Sequence, residues 1–353
     1  MSALADDLVA WVKTETGAGV VDAARLGRGA SRHTWAVELD DGRSVVVRED
    51  TGTGPVADTP LTLRREADVY RALASAPLPV PRLLSTSSDG RALLFERVRG
   101  TDELASCSAE ERQSVARDYG RRLGNLHGLK PGELDLGSLE CPDGETPTAA
   151  DIALWLRIRE LRTGADATPA AAVALDWLAA HVPDAGGSTA LCHGDAGPGN
   201  FLHDGGAVTA LLDWEFAHVG DPHDDLAWVA VRNQLLGRAL PLDATAAGWR
   251  EASGADIDVR RLEYYRALVL TRMVISCDAS MQWTGGEETP DNRVQAALRP
   301  FLAPAIIEAL RRAGCTDAAL DDLDGPARRA WEGSRIAKVL GDPSHLDDLG
   351  AAL

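Results

Sequence analysis

Apolar and polar residues alternate along three short stretches of the first hundred residues: HTWAVEL (33–39), RSVVVRE (43–49) and RALLFERV (91–98). A period of two marks half-buried strands, and DDG and SSDG supply the turns before the second and third. In the second stretch the alternation puts Val45 and Val47 on one face and Val46 and Arg48 on the other. Between the second and third, DTPLTLRREADVYRALASA (58–76) switches to a helical period, with Leu63, Ala67, Tyr70 and Ala74 on one face. Thr59 is placed to cap this helix, Pro60 fits its first turn, and PLPVP stops it. The pattern predicts a small sheet with one helix inserted after its third strand.

From about residue 102 the pattern becomes helical: SAEERQSVARDYGRRLGNLHGL, ALDWLAAHV, VRRLEYYRALVLTRMVIS and RVQAALRPFLAPAIIEALRRAG all read as helices. Only FLHDGGAVTALLDWEF (201–216) reads as β. The expected class is α+β in two lobes: a β-rich lobe over residues 1–100 and a mostly helical lobe over 101–353, divided near ERVRGTDEL.

Composition leaves this picture in place. The chain has 353 residues, 45% hydrophobic and 25% charged, enough for two lobes with their own cores. No apolar run is long enough to span a bilayer, so no membrane partner is expected. The amino-terminal segment carries acids where a secretory leader needs bases. Five widely spaced cysteines form no Cys-x-x-Cys pair, and Cys192 reads as a small buried hydrophobe. A cytoplasmic protein is the expectation. The net charge of −18 argues against nucleic acid as a partner.

The chemistry concentrates in HGDAGPGN (193–200) and the DWE that follows. With Gly205-Gly206 as a two-residue turn, NFLHDGGAVTALLD forms a hairpin in which Asp204 opposes Ala207 and Asn200 opposes Leu211. Asp213 then falls at the same open end, and an amide and a carboxylate there are hard oxygen ligands of the kind magnesium takes. Gly197, Pro198 and Gly199 forbid a helix after Asp195 and let it face that site without ligating it, where a base could accept a hydroxyl proton. His193 reads as structural, fixing the turn through backbone hydrogen bonds.

The segment HGDAGPGNFLHDGGAVTALLDWEFAHVGDPHDDLAW resembles the catalytic segment of the aminoglycoside phosphotransferase and choline kinase family, which has the protein-kinase-like fold. The resemblance implies ATP and Mg2+, with Asp195 as catalytic base, Asn200 and Asp213 on magnesium, and a hydroxylated small molecule as acceptor. In GDPHDDLAW it implies that Asp221 and Asp225 cap and brace the next helix. LGRGASRHTW supplies Gly27, Gly29 and Ser31 as a phosphate-binding turn between strands. Arg48 stands where the family commonly has lysine, and Glu66 can reach it; a guanidinium grips phosphate oxygens in a bidentate way. LLFERVRG resembles the strand and hinge that contact adenine, through the backbone of Glu96 to Val98. RRLGNLHGL resembles a family helix in which His127 packs. READVYRALASAPLPVPRLL is similar to the branch fused to acyl-CoA dehydrogenases, which favours a hydroxyacyl or other metabolic alcohol over an antibiotic as acceptor. The acceptor is expected between the catalytic loop and the helices of 130–190 and 255–310.

Two other readings compete. A catalytically inactive nucleotide-binding regulatory module would be expected to have lost some of these acids, and all are present. A metal-dependent hydrolase would draw on His193, Asp195, His203, His218 or His223, but zinc prefers nitrogen and sulfur, and His203 has no close histidine partner. Protein-kinase activity is disfavoured because no APE-type segment separates DWE from GDP.

Overall fold

The computed structural model describes residues 4–26, 32–139, 146–164, 167–184, 189–237, 239–289 and 292–334. The amino-terminal lobe runs α1 (Asp6–Thr16), β1 (Val20–Leu26), β2 (Arg32–Leu39), β3 (Ser44–Asp50), α2 (Leu63–Ala72), β4 (Leu83–Thr86) and β5 (Ala92–Glu96). Its five strands form one antiparallel sheet in the order β1-β2-β3-β5-β4. The helix does follow the third strand. The alternation in β3 holds: Val45 and Val47 pack with Trp35, Val37 and the Val12 of α1 on the outer face, while Val46 and Arg48 line the cleft on the other. On that inner side Phe95 of β5 meets Tyr70 of α2 at 4.6 Å between ring centroids.

Two local expectations are corrected. The cap of α2 is Thr62, whose side chain accepts the Arg65 N–H at 3.3 Å. Thr59 instead closes a preceding turn by donating to the Val56 carbonyl at 2.6 Å, because the chain needs that extra turn before it can enter the helix. Ala74 lies past the helix end and is exposed; Leu73 fills the buried position.

The carboxy-terminal lobe contains α3 (Ala109–His127), α4 (Pro147–Arg162), α5 (Pro169–Ala180), β6 (Ala190–Cys192), β7 (Phe201–Asp204), β8 (Ala207–Leu211), β9 (His218–Gly220), α6 (Pro222–Leu235), α7 (Leu242–Ser253), α8 (Val259–Trp283), α9 (Arg293–Arg312) and α10 (Ala319–Glu332). Strands β7 and β8 form the expected hairpin, and β6 pairs with β9, which was not anticipated. Helices α3 and α7 cross closely: a Cβ on Gly120 would stand 2.0 Å from the Thr245 carbonyl oxygen. No described helix is long and apolar enough to cross a membrane.

A buried ion cluster joins α4, α6, α8 and β9. The Arg272 guanidinium donates to both Asp224 oxygens at 2.8 and 2.7 Å and also to Asp151. His218 faces Asp224 at 3.3 Å through Nε2 and the Phe216 carbonyl at 3.0 Å through Nδ1. Burial works against the imidazolium, but Asp151 and Asp224 outweigh it, so the His218 pKa is raised.

The hairpin region is tied to the connector and to the amino-terminal lobe. Thr101, in the connector after β5, exchanges both backbone hydrogen bonds with His203 at 3.0 and 2.9 Å. The Leu211 N–H donates to the Pro79 carbonyl at 2.7 Å, and Arg65 of α2 donates to the Glu215 carbonyl at 3.2 Å.

Candidate active site

A cleft of about 830 Å³ separates the lobes, and it is lined by Arg48, Glu96, Val98, Asp195, Asn200 and Asp213 among others. The loop that carries Asp195 is held from below by a chain of hydrogen bonds. Asp225 accepts the N–H groups of His193 at 2.7 Å and Gly194 at 2.9 Å. Its Oδ2 also faces His127 Nε2 at 2.9 Å, while the Trp249 indole N–H donates to His127 Nδ1 at 2.9 Å. The indole fixes the tautomer, so His127 donates to Asp225 from Nε2. His127 therefore does more than pack. Asp225 lies within α6 and braces the catalytic loop; the cap of α6 is Asp221, which accepts the His223 N–H at 2.9 Å.

His193 is fully buried. Its Nε2 faces the Leu212 carbonyl at 2.8 Å, and its Nδ1 accepts the Asp195 N–H at 3.4 Å, which ties the loop to the end of β8. Gly194 has φ 78°, and a Cβ there would meet the Phe216 carbonyl oxygen at 2.0 Å, so this position accepts only glycine.

The hairpin differs from its expected register by one residue. Asp204 opposes Ala207 as expected, but the pairing shifts between Leu202 and His203, and Phe201 opposes Leu211. Asn200 therefore meets Leu212, whose N–H donates to the Asn200 carbonyl at 2.9 Å. The extra residue is Thr209, whose hydroxyl donates to the Arg99 carbonyl at 2.8 Å, an attachment to the connector that favours the bulge. The shift brings Asp213 one step nearer the Asn200 pair, and Asp213 sits in the left-handed region at φ 66°, a conformation that is costly for a non-glycine residue.

Asn200 spends its amide nitrogen on Asp195, donating to the backbone carbonyl at 2.8 Å and to Oδ2 at 2.7 Å. That leaves its Oδ1 for a cation or donor. Above it, the Arg48 Nε donates to Glu66 at 3.0 Å and its Nη2 to Asp213 at 2.5 Å, with Glu215 at 3.5 Å. Arg48 and Glu66 thus meet as expected, and Asp213 joins them. Burial and then Asp213 push the Glu215 pKa up to about 8, and burial raises that of Glu66.

Two residues of this site escaped the sequence reading. Glu215 stands in the quoted DWE, and its spacing from Asp213 on an extended segment was the available signal. Arg232 had none. From the far end of α6 its Nη1 donates to both oxygens of Asp195 at 2.6 Å, its Nε and Nη2 donate to the Pro198 carbonyl, and Nη2 reaches Asn200 Oδ1 at 3.3 Å. Burial pushes the Asp195 pKa up, and Arg232 opposes that. Glu96 and Val98 line the cleft, although the Glu96 N–H is taken by the Arg82 carbonyl at 3.0 Å. Gly27, Gly29 and Ser31 lie outside the described residues.

A profile described as the phosphotransferase enzyme family matches residues 22–265. The chain is 24% identical over 269 residues to acyl-CoA dehydrogenase family member 10 of Mus musculus, covering 73% of this chain and 24% of that protein. It is 29% identical over 225 residues to acyl-CoA dehydrogenase family member 11 of Gallus gallus, covering 60% of this chain and 28% of that protein. The match thus spans only about a quarter of those relatives' length. Among solved structures, a Ralstonia eutropha protein provisionally assigned as an aminoglycoside phosphotransferase superposes with a TM-score of 0.64 at 21% identity, covering 87% of this chain and 97% of that one. The aminoglycoside phosphotransferase APH(4)-Ia, in a ternary complex with ADP and hygromycin B, superposes with a TM-score of 0.59 at 19% identity, covering 88% and 100%.

Proposed function

Since the chain belongs to the phosphotransferase enzyme family, we propose that it transfers the terminal phosphoryl group of ATP to a hydroxyl of a small molecule, and that the acceptor is a hydroxyacyl compound or another metabolic alcohol. The observation that carries the chemistry is the meeting of Asp195, Asn200, Asp213 and Arg48 at one cleft between the lobes. Residues 1–100 hold the nucleotide in this reading, with Arg48 on its phosphates, Glu66 orienting Arg48, and Glu96 to Val98 beside the base. Gly27, Gly29 and Ser31 are assigned to the phosphates from the sequence alone.

Asp195 accepts the acceptor's hydroxyl proton as that oxygen bonds to the terminal phosphorus; the bond from phosphorus to the bridging oxygen breaks and ADP departs. Asn200 Oδ1 and the Asp213 carboxylate form a hard oxygen set that suits Mg2+; the amide orientation that Asp195 imposes turns the Asn200 oxygen away from Asp195, where it meets only the long 3.3 Å bond from Arg232 among the described residues. Magnesium there neutralises phosphate charge. The free, scattered cysteines of the described residues support the cytoplasm as the working compartment.

The acceptor side of the cleft favours an apolar alcohol. Its wall comes from Phe216, Trp228, Met273, Cys277, Val294 and Leu298. The carboxylates lining the cleft are Glu96, Asp102, Asp195, Asp213 and Glu215, all in the connector region or the catalytic centre. A polycationic aminoglycoside needs acids on its own side of the pocket, and the described wall supplies none there. The test is a screen of pooled hydroxylated metabolites and aminoglycosides, read as acceptor-dependent ADP release with Mg2+ and ATP. Turnover with a metabolic alcohol is the expected outcome; turnover with aminoglycosides alone overturns the acceptor class, and none with any pool opposes the kinase reading.

A further inference from the structure

A second group of donors converges behind the catalytic hairpin, away from the cleft. Cys107 stands immediately before Ser108, the cap of α3, and Glu111 lies in the first turn of that helix. His203 arrives from β7. One ligand atom of each, a thiol sulfur, a carboxylate oxygen and an imidazole nitrogen, lies within 4.8 Å of the other two.

The two softer members are poorly served without a cation. His203 is 2% exposed, yet its Nδ1 has no hydrogen-bond partner among the described residues. Its Nε2 faces only the Cys107 sulfur, at 3.9 Å. A buried imidazole left in that state is costly. The Cys107 thiol has, besides that, a weak 3.6 Å contact to the Glu103 carbonyl, and burial and the nearby Glu111 both disfavour its thiolate. A divalent cation would take the Cys107 thiolate and the Nε2 of a neutral His203 as ligands and offset the Glu111 charge; the imidazole proton would then sit on Nδ1.

Geometry allows it. Zinc bonds of about 2.3 Å to sulfur and about 2.0–2.1 Å to nitrogen at a tetrahedral angle put the two ligand atoms roughly 3.6 Å apart. The observed 3.9 Å separation closes to that with a small side-chain adjustment. Cys107 and Glu111 are partly exposed, which leaves a path in and room for a water as fourth ligand. The sulfur and nitrogen donors also separate this group from the all-oxygen set of Asn200 and Asp213.

We propose that Cys107, Glu111 and His203 form a site for one zinc-class divalent cation, which staples the connector and the start of α3 to the catalytic hairpin. The neighbouring backbone already points to that function, since Thr101 of the connector exchanges both hydrogen bonds with His203.

The probe is Co2+ added to the reduced, full-length protein in chelator-treated buffer, followed by Zn2+. The expected result is a thiolate-to-cobalt charge-transfer band that saturates at one equivalent and is discharged by one equivalent of zinc. Cys107→Ser, at a partly exposed position, should abolish the band and weaken zinc binding at least tenfold with an unchanged circular dichroism spectrum. Glu111→Gln should weaken binding with the band retained, and Cys192→Ser should change neither. Cobalt binding without a sulfur band, or a band that survives Cys107→Ser, overturns the site. Phosphotransfer is not read in this experiment, so its failure leaves the proposed activity untouched.

Discussion

Two arginines anchor ion clusters in this protein, and they are built to opposite ends. Arg272 is closed in: it is 2% exposed and meets Asp151 and Asp224, and these acids also raise the pKa of His218, which faces Asp224. Both carboxylates are held by Arg272, and Asp224 meets the imidazole as well. Arg48 is open to the cleft and meets three carboxylates, Glu66, Asp213 and Glu215, with Arg32 a further positive charge acting on Glu66 and Glu215. Burial is the main cause that lifts Glu66 and Glu215 away from ordinary carboxylate behaviour, and the Asp213 charge adds to it. A balanced cluster holds helices together; an acid-heavy cluster at a cleft is an electrostatic demand for a cation from solution.

That contrast can be broken most severely at the closed end. Arg272→Met strands Asp151 and Asp224 in the core and should cost about 3–5 kcal/mol of stability, read by urea unfolding. A loss below about 1 kcal/mol would mean that the cluster is hydrated and the distinction false. At the open end, Asp195→Asn should leave folding and ATP affinity nearly intact and lower turnover by about 100-fold or more, once an acceptor is in hand. Retention of near-normal turnover removes Asp195 as the base.

A smaller effect separates geometry from charge. Arg48→Lys keeps the charge but cannot hold Glu66 and Asp213 from two arms, so ATP handling should weaken by roughly 10- to 150-fold, the loss of one charge-assisted bond. Glu66→Ala should add little in an Arg48→Ala background; additive losses in that cycle would dissolve the pair. Smallest is a pH effect. The His218 pKa is raised on folding, so its contribution is fully present below the ordinary histidine range and is lost as pH rises through the folded value. The wild-type protein should lose stability across that rise, and His218→Gln should flatten the slope. An identical slope in the variant would show that His218 stays neutral throughout.

Legibility in the sequence followed distance along the chain. Asp195, Asn200 and Asp213 were readable because a loop and one hairpin fix them within a short segment. The Arg48–Glu66 pair was readable because strand alternation and helical periodicity each point one side chain inward. Arg232 was not, since an arginine 37 residues from Asp195 on a regular helix looks like any solvated charge. The bulge at Thr209 depends on a carbonyl of the connector, a tertiary partner that no local pattern encodes. Strands β6 and β9 are three residues each, too short to show a period. The cap of α2 was misplaced by three residues because both Thr59 and Thr62 satisfy the local rule, and only the chain's approach decides between them.

The ties that run from Thr101, Pro79 and Arg65 to the hairpin carry a mechanical consequence. A segment held to the upper lobe through Pro79 and Arg65, and to the connector through Thr101, is not a free hinge leaf. The hairpin is equally fastened to α3, where Ser114 donates to the Gly206 carbonyl at 2.9 Å and the Val208 N–H donates to Asp118 at 2.8 Å, so it is clamped from both lobes and its amides should exchange with solvent slowly. Across the cleft, α9 presents Val294, 65% exposed, and α8 ends in the half-exposed Trp283. Any change in the width of the cleft must be taken up by segments that these bonds do not hold.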